Sequence, residues 1–320
     1  MSLPARFPLA TLPTPLQPAE RLSAALASPP VLLKRDDLTG FALAGNKARK
    51  LEYLLGDALA AGCDVLLTGG GPDSNHCQAA AAAARVAGLD CELVLYGQEP
   101  PQPRHNLQLA RRFGASVAFT GDLDRASVDR ALEGRAERLR AAGRRPYLVP
   151  RGGATPLGAV GYALAAEELA GQLAEVGAEP ELVLVATGSC GTQAGLVAGT
   201  VAAGRRWRVV GASVSRPPSE CRRRVLELAR GCAALLGSPA PGERDVEVVD
   251  ARGPGYGTAS ADGDAAAGLA AATEGLLLDP VFTAKAMAVL AATVGGLRAP
   301  AVFVHTGGIP NVLGRCGDQR

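Results

Sequence analysis

Three short segments bring together the side chains best suited to chemistry. In the first, Gly45 and Asn46 precede Lys47 and mark a helix start, so the lysine falls in the first turn. The positive end of a helix disfavours its charged form, which suits a neutral amine acting as nucleophile or base. The alternative for Lys47 is a solvated cation beside Arg49 and Lys50. In the second segment, Thr187-Gly188-Ser189-Cys190-Gly191-Thr192 joins an apolar run to a helix. Its backbone N–H groups, its hydroxyls and the helix dipole suit a phosphate. It matches neither a Walker A loop nor G-x-G-x-x-G, and a strand-to-helix turn that uses glycine for packing is the alternative. In the third, Ser74-Asn75-His76 follows Gly69-Gly70-Gly71, where Ser and Asn cap a helix and free N–H groups can receive a carboxylate. Cys77 and Cys190 read as small apolar fillers ahead of nucleophiles. His76, His105 and His305 are too scattered for a metal site, and His305 at a strand end reads as structural. Asp36-Asp37 reads as a turn before Gly40, and Asp279 before Pro280 as a turn or N-cap. No G-x-S-x-G occurs, so serine hydrolase chemistry is not signalled.

The elements that must position these residues alternate. Short apolar strands are expected at 64–68, 91–96, 116–119, 147–149, 181–186, 208–213, 246–249 and 301–305. Helices are expected at 74–86, 106–113, 127–142, from about 156, and at 193–203, 218–236, 266–274 and 284–292. The stretch 99–103 reads as a surface turn. This alternation implies βαβ units and parallel sheet, an α/β fold whose ligands collect at the carboxyl ends of strands. The loops there are 69–75, 152–156, 187–192 and 306–308, all containing glycine.

Composition narrows the class. The 320 residues, 48% hydrophobic and 20% charged, exclude a disordered chain and suffice for a large core. A net charge of +2 gives no basic field for nucleic acid or acidic membranes, and 4% aromatics give no base-stacking platform. Seven cysteines without C-x-x-C weaken a zinc or thioredoxin-type reading. The proline-broken start lacks an apolar signal region, and the longest uncharged stretch, 182–204, holds a polar loop and is no membrane span. The expectation is a soluble, cytoplasmic protein with reduced thiols.

In order along the chain, VLLKRDDLTGFALAGNKARKLEYL, TGGGPDSNHCQAAAAAA, PRGGATPLGAVGY, ATGSCGTQAGL, GPGYG, TEGLLLDPVFTAKAM and VFVHTGG resemble the D-cysteine desulfhydrase and 1-aminocyclopropane-1-carboxylate deaminase family. This is a branch of the pyridoxal-phosphate enzymes with the tryptophan-synthase β-subunit fold (fold type II). The resemblance spans about residues 31–308. It implies pyridoxal 5'-phosphate as cofactor and two α/β units, one of 52–154 and one combining 1–51 with 155–320. It implies Lys47, Ser74 and Tyr256 as catalytic residues, with Lys47 in the Schiff-base link to the cofactor. Thr187, Gly188, Ser189, Cys190, Gly191 and Thr192 would hold the phosphate, Asn75 the ring hydroxyl, and Thr306 the neighbourhood of the pyridine nitrogen. Ser74, Asn75, His76, Tyr256, Phe282 and Thr283 would meet the substrate.

The implied activity is β-elimination from a small β-substituted amino acid, as in D-cysteine desulfhydrase, giving pyruvate, ammonia and the leaving group. A β-replacement enzyme of the same chemistry is the alternative. Phe282-Thr283 stands where the deaminases carry Tyr and an acidic residue, which counts against opening a cyclopropane ring; the lost hydroxyl also weakens the desulfhydrase assignment and leaves a biosynthetic lyase on another β-substituted amino acid as a further alternative. Asp73 in place of Gln, Cys190 in place of Gly, and Thr258-Ala259-Ser260 are further departures. A non-catalytic ligand-binding scaffold is the competing class, disfavoured because Lys47 and the carboxylate loop are intact. No metal is implied. The partner is a small amino acid, and a homodimer follows from the resemblance alone.

Overall fold

The computed structural model describes residues 3–102 and 105–317, with side chains through 313. Pro103, at the end of the expected surface turn, and the Cys316 side chain lie outside the described residues.

Ten strands form two sheets among the described residues. They are β1 (Leu16–Pro18), β2 (Val31–Lys34), β3 (Val65–Gly70), β4 (Asp90–Leu95), β5 (Ser116–Phe119), β6 (Pro146–Leu148), β7 (Leu182–Thr187), β8 (Arg208–Ser213), β9 (Glu247–Asp250) and β10 (Ala301–Val304). The helices are α1 (Glu20–Ala25), α2 (Asn46–Ala60), α3 (Asn75–Val86), α4 (His105–Arg112), α5 (Ser127–Ala141), α6 (Pro156–Glu175), α7 (Gly191–Ala202), α8 (Pro218–Leu236), α9 (Ala261–Glu274), α10 (Thr283–Thr293) and α11 (Ile309–Gly317).

The larger sheet runs β1-β2-β10-β7-β8-β9 and the smaller β5-β4-β3-β6. Every pairing is parallel except β1 with β2, where Leu16 faces Lys34 in an antiparallel edge that parallel βαβ units alone do not foresee. β7 is buried along its whole length, as a strand covered on both faces must be. Leu182, Leu184 and Ala186 face α1, α9 and α10, whereas Val183 and Val185 face α6, α7 and α8. In the smaller sheet Leu66, Leu93 and Leu95 pack on α2, α3 and α4, and Val65, Leu67 and Val94 pack on α5. Ala79 to Ala84 in α3 are all buried. Small side chains let helices lie close to the sheets, which is how a chain with 4% aromatics fills its core.

β1, α1, β2 and α11 had no clear signal. β1 is three residues ending in proline, and β2 is a four-residue run, too short for periodicity to identify. α9 starts at Ala261, five residues before the expected 266, because Ser260 caps it by accepting from the Gly263 N–H. No helix of the described residues is long and apolar enough to cross a membrane.

Candidate active site

The carboxyl ends of β3, β6, β7 and β10 open onto one cleft of about 420 Å³, within the range of small-molecule sites. Parts of all four glycine-containing loops line it. α2 enters it first. Gly45 has φ 53°, and a Cβ there would lie 2.3 Å from the Thr306 carbonyl oxygen. Only glycine allows this approach, which docks the start of α2 on the loop after β10. The Asn46 N–H then donates to that carbonyl at 3.1 Å. The Asn46 side chain accepts from Lys47 Nζ at 2.6 Å through Oδ1 and donates to Thr192 Oγ1 at 2.9 Å through Nδ2. Asn46 thus ties the amine to the loop of Thr187–Thr192.

Burial lowers Lys47 to about 8, against the pull of buried Asp279. The neutral-amine reading of Lys47 fits this placement. The solvated alternative does not, because its neighbours Arg49 and Lys50 are 2% and 1% exposed. Lys50 was missed from sequence. Among the described residues its one hydrogen bond is to the Gly152 carbonyl at 3.3 Å. A Cβ on Gly191 would sit 3.1 Å from its Nζ, so the amine lies directly behind the 187–192 loop. Burial, then Lys47, holds it well below the ordinary lysine range. The signal was present in its spacing, because residues three apart share a helix face.

The 187–192 loop leads into α7, whose first N–H groups have no intrahelical acceptor. Thr187, Gly188, Ser189, Cys190 and Thr192 line the cleft, while Gly191 lies behind it against Lys50. Cys190 holds a left-handed φ of 76° and is 2% exposed. Its thiol lies beside that of Cys221, which together with burial keeps Cys190 protonated. Burial pushes the Cys77 thiol up to about 12, consistent with a filler.

Ser74 caps α3, its Oγ accepting from the Cys77 N–H at 3.2 Å. Asn75 lines the cleft with Oδ1 accepting from Asn106 Nδ2 at 2.9 Å. His76 is 3% exposed, and burial followed by Lys47 and Lys50 lowers it to about 3, so it stays neutral. Thr68 donates its single hydroxyl proton to the Val149 carbonyl at 2.7 Å, so it accepts from His76 Nε2 at 3.0 Å. That places the proton on Nε2 and leaves Nδ1 as a buried acceptor without a partner. A carboxylate at this loop is therefore received by backbone N–H groups, not by an imidazolium.

Tyr256 faces the cleft edge-on to Phe282, with ring centroids 6.0 Å apart. Its loop is pinned by Lys285, whose Nζ donates to the carbonyls of Arg252 at 2.6 Å and Gly255 at 2.9 Å. Asp279 accepts from the N–H groups of Val281, Phe282 and Thr283, the turn of the two expected readings; the N-cap position of α10 is Phe282. Thr306 lies in the cleft wall. Thr283 corrects an expectation. It is 0% exposed, does not line the cleft, and donates from Oγ1 to Asp279 Oδ1 at 2.8 Å. His305 is structural, held between the Leu277 carbonyl and the Gly307 N–H. Asp36 is more than a turn residue. It is 0% exposed and accepts from Arg49, Thr14 and Tyr162.

Known proteins share this architecture. The chain is 42% identical over 293 residues to the 1-aminocyclopropane-1-carboxylate deaminase of Burkholderia cenocepacia, covering 88% of this chain and 86% of that one. It is 39% identical over 318 residues to a D-cysteine desulfhydrase of Salmonella choleraesuis, covering 95% of each. The crystal structure of an ACC deaminase homologue superposes with a TM-score of 0.91 at 37% identity, over 99% of this chain and 95% of that chain. The family model for pyridoxal-phosphate dependent enzymes matches residues 8–307, and the chain belongs to that family.

Proposed function

We propose that the chain is a lyase that removes a β-substituent from a small amino acid, with pyridoxal 5'-phosphate in the cleft. One observation carries this reading. A lysine lowered to about 8 shares its cleft with the start of α7 and with Lys50, a buried amine whose charged form is disfavoured and which meets no anion among the described residues. A buried cation with one carbonyl partner is costly unless an anion compensates it, and a phosphate at the 187–192 loop would do so. The residues therefore fit the cofactor.

When bound, pyridoxal 5'-phosphate supplies a carbonyl for an amine and an electron sink that acidifies the bond between Cα and its hydrogen. Lys47 carries the covalent link and, once released, takes the Cα proton at Nζ. Thr187, Gly188, Ser189, Cys190 and Thr192 hold the phosphate from the front, and Gly191 lets Lys50 approach it from behind. Ser74, Asn75 and His76 would receive the substrate carboxylate at the start of α3, and Asn75 would also meet the ring hydroxyl of the cofactor. Tyr256 and Phe282 wall the substrate side, and Thr306 would supply a hydroxyl in place of an acid beside the pyridine nitrogen. With a hydroxyl there the cofactor would be a weaker electron sink, which would favour rapid departure of a β-substituent. Phe282 brings no hydroxyl to the site, which weighs against ring opening of a cyclopropane. D-Cysteine, the substrate in the printed names of several relatives, is the first candidate, giving pyruvate, ammonia and sulfide.

The reading includes two units, 52–154 around the smaller sheet and 1–51 with 155–320 around the larger. It also includes a cytoplasmic homodimer, supported by the family resemblance and by six cysteines that form no disulfide among the described residues. The test is the visible spectrum of the purified protein with the cofactor, followed by pyruvate release from β-chloroalanine and from D- and L-cysteine. A yellow band and pyruvate formation, both lost in Lys47→Ala, are expected. A colourless protein that cannot be reconstituted overturns the reading.

A further inference from the structure

Six cationic side chains line or underlie the cleft, and five of them have an evident use. Lys47 and Lys50 serve the amine and phosphate positions. Arg151 is held by both oxygens of Asp129, at 2.9 and 2.7 Å. Arg216 pairs with Glu220, and Arg224 donates to the Ser189 carbonyl beside the phosphate loop at 3.4 Å. Arg125 remains. Among the described residues it makes no ion pair or hydrogen bond, and its guanidinium lies 4.1 Å above the centroid of the Tyr256 ring. Asp73 also lines the cleft, but among the described residues no carboxylate comes within ion-pair distance of Arg125.

The stack spans the cleft. Arg125 comes from the connection between β5 and α5 of the smaller sheet, and Tyr256 from the connection between β9 and α9 of the larger. Arg125 stacks on Tyr256 of the wall that Tyr256 and Phe282 share, while Phe282, 6.0 Å from Tyr256 between ring centroids, abuts Gly188 of the phosphate loop. The α-carboxylate of an amino acid is already provided for by the free N–H groups at the start of α3. A guanidinium seated over an aromatic ring without an ion-pair partner keeps N–H donors available, and two of them can meet an oxyanion together.

Resting on the lyase reading above, we propose that Arg125 selects amino acids whose β-substituent is itself an oxyanion: a sulfonate, a thiosulfate or a phosphate ester. For a sulfonate, the Cα–H and Cβ–S bonds break. The Cα proton goes to Lys47 Nζ, the Cβ–S electron pair leaves with the sulfur, and one water yields pyruvate, ammonium and hydrogensulfite.

The experiment compares kcat/KM for cysteate, S-sulfocysteine and O-phosphoserine with that for β-chloroalanine and O-acetylserine, each as both enantiomers. It uses the cofactor-loaded wild type, Arg125→Gln and Arg125→Lys. The wild type is expected to prefer at least one anionic substituent over the neutral ones by about tenfold or more. Arg125→Gln is expected to collapse that ratio by about tenfold, and Arg125→Lys to keep part of it. A wild type that eliminates from β-chloroalanine without favouring any anionic substrate overturns the assignment and leaves the lyase reading standing. Equal slowing of every substrate in both variants also overturns it, because the stack then only clamps the cleft. A wild type inactive on all five substrates overturns the assignment, and the lyase reading falls with it when D- and L-cysteine release no pyruvate either.

Discussion

α2 sends its cations to two sides of the molecule, and the two sides treat charge in opposite ways. Arg49 points away from the cleft into a saturated network. It donates to Asp36 at 2.9 and 3.0 Å and to Glu168 at 3.0 and 2.9 Å, while Lys34 reaches Glu168 at 2.5 Å and Tyr162 reaches Asp36 at 2.5 Å. Burial works against ionised Glu168, but Arg49 and Lys34 outweigh it and hold its carboxyl below the ordinary range. On the cleft side, Lys47 has one side-chain partner, Asn46, and Lys50 has one carbonyl. Both are lowered by burial. Within one turn of one helix, paired charge builds the scaffold and unpaired charge is kept for a ligand.

The contrast can be broken from either side. The largest effect belongs to Lys47→Ala, which removes the amine and should lower turnover by about a thousandfold or more, measured as pyruvate release. Because only the neutral amine attacks a carbonyl, cofactor uptake by empty wild-type protein should accelerate as pH rises through about 8. An unperturbed lysine would keep accelerating to about pH 10.4. Next comes Arg49→Met, which leaves Asp36 buried without its cation and should cost about 3–5 kcal/mol in urea unfolding.

Lys50→Met should act in opposite senses on empty and loaded protein. It should weaken cofactor binding by about 10- to 100-fold, the worth of one charge-assisted contact. It should also raise the melting temperature of the empty protein by removing an uncompensated buried cation. The pH dependence has a definite sign. The folded pKa of Lys50 lies below its unfolded value, so the unfolded chain binds more protons between the two. Its penalty on the empty protein therefore fades as pH rises toward the unfolded value, and Lys50→Met should abolish that slope. The smallest effect is expected at Cys190→Gly. Glycine relieves the φ of 76° but gives up a buried thiol, so stability should change by less than about 1 kcal/mol.

The sequence made much of this legible where signals are local. β5, β8 and α8 fall at their expected bounds, and most other elements lie within two residues, because apolar runs and helical spacing are properties of short windows. Gly45, Ser74 and the glycines of 187–192 announce a helix start, a cap and a loop through residue type alone. What stayed hidden depends on distant partners. Asp36 looks like a turn residue until Arg49, 13 positions on, and Tyr162, 126 positions on, are folded against it. Thr283 looks like a pocket residue until Asp279 captures its hydroxyl. Nothing near Arg125 in the sequence foretells Tyr256, which reaches it across the cleft.

The four lysines of the chain allow a direct test of the central claim. Lys34, Lys50 and Lys285 are 2%, 1% and 2% exposed, so only Lys47 presents its amine to the cleft. Reducing the cofactor-loaded protein with borohydride and sequencing its peptides by mass spectrometry should find the phosphopyridoxyl group on Lys47 alone. The group on Lys50 or any other lysine, or on none, would contradict the account.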